Sequence, residues 1–154
     1  MTASTGTGGA AAKPEPTPTA TTRPFWNGLR DRKVMLQYSP STDAWVFYPR
    51  VLAPGSLTDD LQWREASGAG HVYSYTVTRR PTAAPWAADV PQIIAVVELA
   101  EGPRLTTELV NVSDDAVKVG MVVRPVFCDS KTGGPTLLRF EPAAGPADSQ
   151  EERP

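Results

Sequence analysis

The chain has one histidine, His71, and one cysteine, Cys128, among its 154 residues. A nucleophilic thiolate needs a nearby base, so these two side chains are the only ones that could form a Cys-His pair. Neither lies in a recognised nucleophile motif, and a lone cysteine is most often a small buried hydrophobic residue. We therefore expect no catalytic dyad.

Acid–base or metal chemistry would need carboxylates that are held close together. The pairs Asp59-Asp60 and Asp114-Asp115 each fall in a predicted loop, where solvated turn residues are the simpler interpretation. Glu98 is the candidate on an apolar predicted strand, but it lies near the end of that strand, where we expect it to be solvated. The sequence thus predicts neither an independent catalytic site nor a metal site.

The most suggestive segment is the long loop over residues 79–91, RRPTAAPWAADVP. Long loops in compact domains are often functional, and tryptophan and arginine are enriched at interface hot spots. Arginine can also bind phosphate groups through forked hydrogen bonds. We predict that Arg79, Arg80 and Trp86 contact a partner or a ligand. An ordinary surface loop, with its tryptophan folded over the domain, is the alternative.

A short N-terminal helix is predicted over residues 23–35, with Pro24 near its first position. Phe25 and Trp26 fall at helical spacing with Leu29. A helix of this length is marginal without tertiary packing. The two aromatic side chains therefore pack either on their own domain or on a partner, and both interpretations stay open.

The remainder of the chain is predicted to be mainly β. Five segments rich in Val, Ile, Thr, Tyr and Phe are separated by Gly, Pro and Asp turn signals. These segments are residues 70–80, 92–99, 104–111, 121–128 and 135–141. The second is apolar on both faces and belongs in the middle of the barrel. Five such strands favour an OB-fold barrel, with a small β-sandwich as the alternative.

Composition limits the partners of the chain. It has 15 basic and 17 acidic residues, which gives no electrostatic footprint for nucleic acid. No run of 18 apolar residues predicts a membrane span, and the first 22 residues do not form a secretory signal. Residues 1–22 and 143–154 have the low-complexity composition of disordered tails. A single cysteine fits a reducing compartment, so we expect a cytoplasmic protein.

Several further stretches are informative through their order and spacing. They are residues 23–29 (RPFWNGL), 36–56 (LQYSPSTDAWVFYPRVLAPGS), 68–77 (GAGHVYSYTV), 95–99 (AVVEL), 101–105 (EGPRL) and 119–123 (VGMVV). Together they resemble the OB-fold, acyl-CoA-associated proteins that carry an N-terminal rubredoxin-like zinc ribbon. The resemblance covers roughly residues 23–142.

The resemblance implies two C-x-x-C knuckles, because a structural zinc takes four thiolates in a closed tetrahedron. At the knuckle positions this chain has Ser39 and Thr42, then Ala53 and Ser56. Hydroxyl and methyl groups do not replace thiolates, so we expect residues 36–62 to form a degenerate, metal-free ribbon. Apolar packing would then hold it through Trp45, Phe47, Tyr48 and Leu52. The alternative is that it docks on a partner and is poorly ordered alone.

For function, the resemblance implies a non-catalytic accessory subunit of a thiolase-like enzyme, either a thiolase or an acyl-CoA side-chain aldolase. The OB-fold domain, residues 63–142, would help to hold a coenzyme A thioester while the partner carries out the chemistry. The predicted contact residues are Phe25, Trp26, Arg79, Arg80 and Trp86. A stand-alone protein that binds acyl-CoA or another small ligand is the alternative. Nucleic-acid binding is disfavoured by the charge balance.

Overall fold

The computed structural model describes residues 13–143. Residues 1–12 of the first predicted tail and residues 144–154 of the second lie outside the described residues. Within residues 13–143, one helix and eight strands follow in this order: α1 Arg23–Arg30, β1 Val34–Ser39, β2 Ala44–Val46, β3 Gln62–Ala66, β4 Gly70–Thr78, β5 Gln92–Leu99, β6 Arg104–Leu109, β7 Val122–Cys128 and β8 Leu137–Pro142. A short 3-10 turn, Ala84–Trp86, lies between β4 and β5.

Strands β4 to β8 close into a barrel with the order β4-β5-β6-β8-β7. The β6–β8 pairing is parallel, and the other neighbouring strands are antiparallel. This arrangement confirms the predicted mainly β fold with a five-stranded OB barrel. It also excludes the sandwich, because the strands close on one another.

The interior of the barrel is filled by apolar side chains. Strand β5 lies between β4 and β6, so its backbone is paired on both edges, as the prediction of a middle strand requires. Its burial alternates along the strand, with the side chains between the buried ones half-buried on the outer face. The core includes fully buried residues from several strands: Val72, Val97, Leu99, Val123 and Phe140.

A second sheet precedes the barrel, with the strand order β2-β1-β3. Strand β1 is its centre and pairs antiparallel with both neighbours. Val34 and Leu36 of β1 and Ala66 of β3 belong to the same buried cluster as the barrel residues. The small sheet therefore packs on the barrel and shares its core.

The predicted apolar packing of the ribbon-like element is correct for only two of its four side chains. Trp45 and Phe47 are partly buried against the shared core. In contrast, Tyr48 is 60% exposed and Leu52 is 41% exposed, so neither contributes much burial. Other interactions must hold the loop that contains them.

Helix α1 begins at Arg23 and ends at Arg30, earlier than residue 35, the predicted end of its segment. The chain reverses after the helix because Arg32 adopts a left-handed conformation with φ 61°. Gly28 lets the helix approach β1 closely, since a Cβ there would overlap the Met35 side chain and lie 3.0 Å from the Lys33 carbonyl oxygen. No helix within residues 13–143 has the length and apolar character needed to cross a membrane.

Candidate functional site

A cleft of about 1340 Å³ opens between helix α1 and the outer face of the barrel. Phe25, Trp26 and Leu29 line it from the helix. Ile94 of β5 and Leu138 of β8 line it from the barrel. Ile94 is available because burial alternates along β5, which places its neighbours Ile93 and Ala95 in the core and leaves Ile94 on the outer face.

Four aromatic rings connect the cleft to the ribbon-like element. The ring centroid of Phe25 lies 5.2 Å from that of Trp26 in a T-shaped arrangement and 5.7 Å from that of Phe47. Phe47 in turn lies 4.2 Å from Tyr48. Such pairs add about 0.5–1.5 kcal/mol beyond simple burial. The helix, the cleft and the exposed ring of Tyr48 thus form one aromatic surface.

The loop over residues 79–91 contributes Trp86 to this cleft but not its two arginines. Trp86 closes the 3-10 turn, is partly buried, and lines the cleft. Arg79 forms a 2.7 Å ion pair with Asp114, and neither it nor the exposed Arg80 lines the cleft. The structure therefore brings together Phe25, Trp26 and Trp86, three of the five predicted contact residues, and separates Arg79 and Arg80 from them.

A short strap, residues 13–16, also lines the cleft. Lys13 pairs with Asp89 of the 79–91 loop, and Glu15 accepts hydrogen bonds from Ser130 and Thr132 in the β7–β8 connection. The Ser130 hydrogen bond is the main reason that the pKa of Glu15 is lowered. The strap belongs to the segment 1–22 that the sequence predicted to be a disordered tail. It joins two loops that flank the cleft.

The β7–β8 connection is fixed to the start of the small sheet by a forked ion pair. Arg32 Nη1 donates to Asp129 Oδ1 at 3.0 Å, and Nη2 lies 2.5 Å from Oδ2. Arg32 also donates to the carbonyl oxygen of Phe127, and Thr136 donates to Asp129. No local pattern predicts a contact between residues 97 positions apart.

This ion pair predicts a specific dependence of stability on pH. The Arg32 hydrogen bond, followed by that of Thr136, holds the pKa of Asp129 below its usual value. A carboxyl with a lowered pKa stabilises the fold above its unfolded pKa, near 3.9, and this contribution disappears as the pH falls through the folded pKa. We expect the melting temperature to fall between about pH 5 and pH 3, and to fall less in Asp129→Asn. Thermal melts of the wild type and of Asp129→Asn across this pH range measure the difference. Identical dependence of the melting temperature on pH in the two proteins would contradict the prediction.

The structure places the single histidine and the single cysteine far apart. His71 pairs with Val122, the first residue of β7, and its Nε2 lies 3.7 Å from Glu98 Oε1. Cys128 is the last residue of the same strand and lines the cleft. Six residues of strand correspond to about 20 Å, so the two side chains do not form a dyad.

The residues at the knuckle positions do not fit a zinc ion. Ser39 and Ala53 are buried, Ser56 is exposed, and none of these side chains is a thiolate. Thr42 is exposed and makes no side-chain hydrogen bond to another described residue. Within residues 13–143, no group of three or more His, Cys, Asp or Glu side chains could hold a metal.

Comparison with known proteins gives a match for the barrel region. Residues 63–128 match the model of a family described as the C-terminal OB-fold domain of ChsH2. Over 129 residues, the chain is 34% identical to a probable enoyl-CoA hydratase alpha subunit of Thermomonospora curvata. That match covers 83% of this chain but 38% of the relative, so the chain spans about two fifths of its length.

Two other proteins are similar over larger shares of their own lengths. A DUF35 domain-containing scaffold protein of Methanothermobacter thermautotrophicus is 34% identical over 84 residues, which are 53% of this chain and 62% of that protein. Among solved structures, a chain described as Ltp2-ChsH2(DUF35) aldolase is 29% identical, with a TM-score of 0.73. The superposition covers 82% of this chain and 98% of that chain.

Proposed function

We propose that this chain is a non-catalytic accessory subunit of an enzyme that acts on acyl-CoA, because residues 63–128 match the model of ChsH2 C-terminal OB-fold domains. The family match confirms the resemblance found in the sequence. We further propose that the enzyme is thiolase-like, either a thiolase or an acyl-CoA side-chain aldolase. The chain binds this enzyme and holds part of the coenzyme A thioester.

The observation that carries this proposal is the aromatic cleft between α1 and the barrel. Its volume of about 1340 Å³ exceeds the roughly 300–1,000 Å³ of most small-molecule sites. An open cleft of this size suits a long, flexible ligand that remains accessible to a second protein on one side. Trp26 and Trp86, both half-buried, supply flat apolar surface for the acyl chain and the thioester arm, and the buried ring of Phe25 packs against that of Trp26.

The charges in the cleft favour the apolar part of such a ligand. Lys13 is paired with Asp89, and Arg139 Nη2 lies 2.9 Å from Glu108 Oε2. The other charged residues that line the cleft, Glu15, Asp129 and Lys131, sum to a formal charge of −1, so the cleft offers no strong attraction for the phosphates of coenzyme A. We assign the phosphates to the partner enzyme.

Catalysis by a partner is supported by the residues and by the relatives. Within residues 13–143 the one thiol and the one imidazole are separated by about 20 Å. One relative is named a scaffold protein, and the solved relative is described as the Ltp2-ChsH2(DUF35) aldolase. The Thermomonospora curvata relative is named as a hydratase subunit, but this chain spans only 38% of its length.

Affinity purification of the tagged chain from its native host, followed by mass spectrometry and activity assays, tests the proposal. We expect a thiolase-superfamily enzyme in stoichiometric amount, and a purified complex that makes or breaks a carbon–carbon bond in an acyl-CoA. The chain alone should be inactive and should bind acyl-CoA weakly by isothermal titration calorimetry.

Two outcomes would overturn the proposal. If the chain is purified without a partner, is monodisperse and binds acyl-CoA tightly, the alternative of a stand-alone binding protein would be established. Carbon–carbon bond chemistry by the chain in the absence of any partner would remove the accessory role altogether.

A further inference from the structure

The two knuckles of the ribbon-like element are joined by a single carboxylate, that of Asp60. Both of its oxygens lie 3.0 Å from Ser39 Oγ. Thr58 Oγ1 donates to Oδ1 at 2.9 Å, and the backbone N–H of Ser41 donates to Oδ2 at 2.9 Å. The donors therefore come from the first knuckle and from the segment that follows the second.

The hydroxyl groups around Asp60 also bond to one another. Thr58 Oγ1 lies 3.2 Å from Ser41 Oγ and 2.8 Å from Ser56 Oγ, which extends the network to both knuckles. Backbone hydrogen bonds close the second knuckle, from the N–H of Ala53 to the carbonyl of Thr58 and from the N–H of Leu57 to the carbonyl of Ala53. Ala53 is fully buried beneath this turn.

We propose that the Asp60 carboxylate holds the two knuckles together in place of a metal ion. A zinc ribbon places a cation at the centre and anionic thiolates around it. This chain has the reverse polarity, with an anion at the centre and neutral O–H and N–H donors around it. The serines at two knuckle positions, Ser39 and Ser56, are thus members of a hydrogen-bonded cluster suited to an anion.

The strength of this arrangement follows from the charge on the acceptor. Hydrogen bonds to an ionised carboxylate are roughly twice as strong as those between neutral groups. One of the donors, Ser39, is fully buried. The pKa of Asp60 is lowered to about 2, chiefly by hydrogen bonds from Ser41, so the carboxylate remains ionised near neutral pH.

A second polar contact fixes the long loop between the knuckles. The buried side chain of Gln37, on β1, donates from Nε2 to the carbonyl of Arg50 at 2.8 Å. Its Oε1 accepts a hydrogen bond from the N–H of Arg50 at 2.7 Å. The Asp60 cluster thus holds the ends of this loop and Gln37 holds its middle, although Tyr48 and Val51 of the loop are exposed.

The test compares Asp60→Ala and the milder Asp60→Asn with Asp59→Asn, which removes the same charge from the exposed neighbouring residue. Melting temperature and the rate of limited proteolysis within residues 40–58 are measured with and without EDTA, and the wild-type chain is assayed for bound zinc. We expect Asp60→Ala to lower the melting temperature by about 5 °C and to speed cleavage at least about 10-fold. Asp59→Asn should match the wild type, and EDTA should change none of the proteins.

Two outcomes would overturn the proposal. One is an Asp60→Asn protein with the wild-type melting temperature and protease resistance. The other is stoichiometric zinc in the wild-type chain together with a melting temperature that EDTA lowers. Neither result depends on whether the chain binds an enzyme or acyl-CoA, so the role of Asp60 is tested separately from the proposed function.

Discussion

The double variant Trp26→Ala/Trp86→Ala is expected to bind acyl-CoA about 10- to 100-fold more weakly in the complex with its enzyme. The two indole rings line the same cleft, one from helix α1 and one from the 79–91 loop. Both rings are already half-buried in the free chain, so together they lose to the ligand about as much surface as one exposed side chain does. Burial of one such side chain contributes about 1.5–3 kcal/mol, which corresponds to roughly this loss of affinity. The measurement is the dissociation constant of the acyl-CoA for the purified complex, by isothermal titration calorimetry.

Tyr75→Ala is the matched control for this variant. Tyr75 is an exposed aromatic residue on strand β4 that does not line the cleft. We expect Tyr75→Ala to leave the affinity within about twofold of the wild type, because a surface substitution away from special features usually changes a free energy by less than about 0.5 kcal/mol. Equal affinities for the double variant and this control would exclude the cleft as the acyl-CoA site.

The largest effect on stability is expected from Phe140→Ala. Phe140 is fully buried on β8 and pairs with Leu109 of β6 on one side and Pro125 of β7 on the other. Its carbonyl also accepts a hydrogen bond of 2.8 Å from the N–H of Val110. Truncation of a buried phenylalanine costs about 3–5 kcal/mol, a large part of the 5–15 kcal/mol that stabilises a typical domain.

Urea denaturation followed by circular dichroism measures this loss, with Leu57→Ala as the control. Leu57 is 71% exposed, so its truncation should change the free energy of unfolding by less than about 0.5 kcal/mol. A cost below about 1 kcal/mol for Phe140→Ala would mean that β8 does not close the barrel tightly in solution.

The strands could be predicted from the sequence because their signals are local. Alternation of apolar residues and the Gly, Pro and Asp turns marked all five barrel strands to within about two residues of their observed ends. The C-terminal end of the helix was predicted less precisely. Its C-terminus depends on the left-handed conformation of Arg32, a residue type that gives no warning of it, in contrast to the glycine that commonly ends a helix.

The candidate site could be predicted only in part, because its members meet through tertiary structure. The residue types of Phe25, Trp26 and Trp86 marked them as contacts, but no pattern shows that they share one cleft. Arg79 stays a predicted contact residue, but the fold pairs it with Asp114 and places it outside the cleft. In general, sequence identifies a side chain that can make an interaction, and the fold decides what remains available to it.

The role proposed for Asp60 could not be predicted from the sequence, because the fold brings its hydrogen-bond donors together. In the sequence it forms part of a two-aspartate turn, which is usually solvated. Its donors Ser39, Ser41 and Thr58 become neighbours only when the loop folds back on β1. The absence of the four cysteines was visible from the sequence, whereas the group that takes their place was not.

An anion-centred ribbon also differs from a zinc ribbon in the conditions that can damage it. Thiolates are lost to oxidants, and a metal is lost when its supply is limited. Serine and threonine hydroxyls have neither weakness, and the Asp60 carboxylate is discharged only near pH 2. This part of the chain would therefore keep its shape through oxidative stress and metal starvation, two conditions under which a cysteine ribbon would lose its metal.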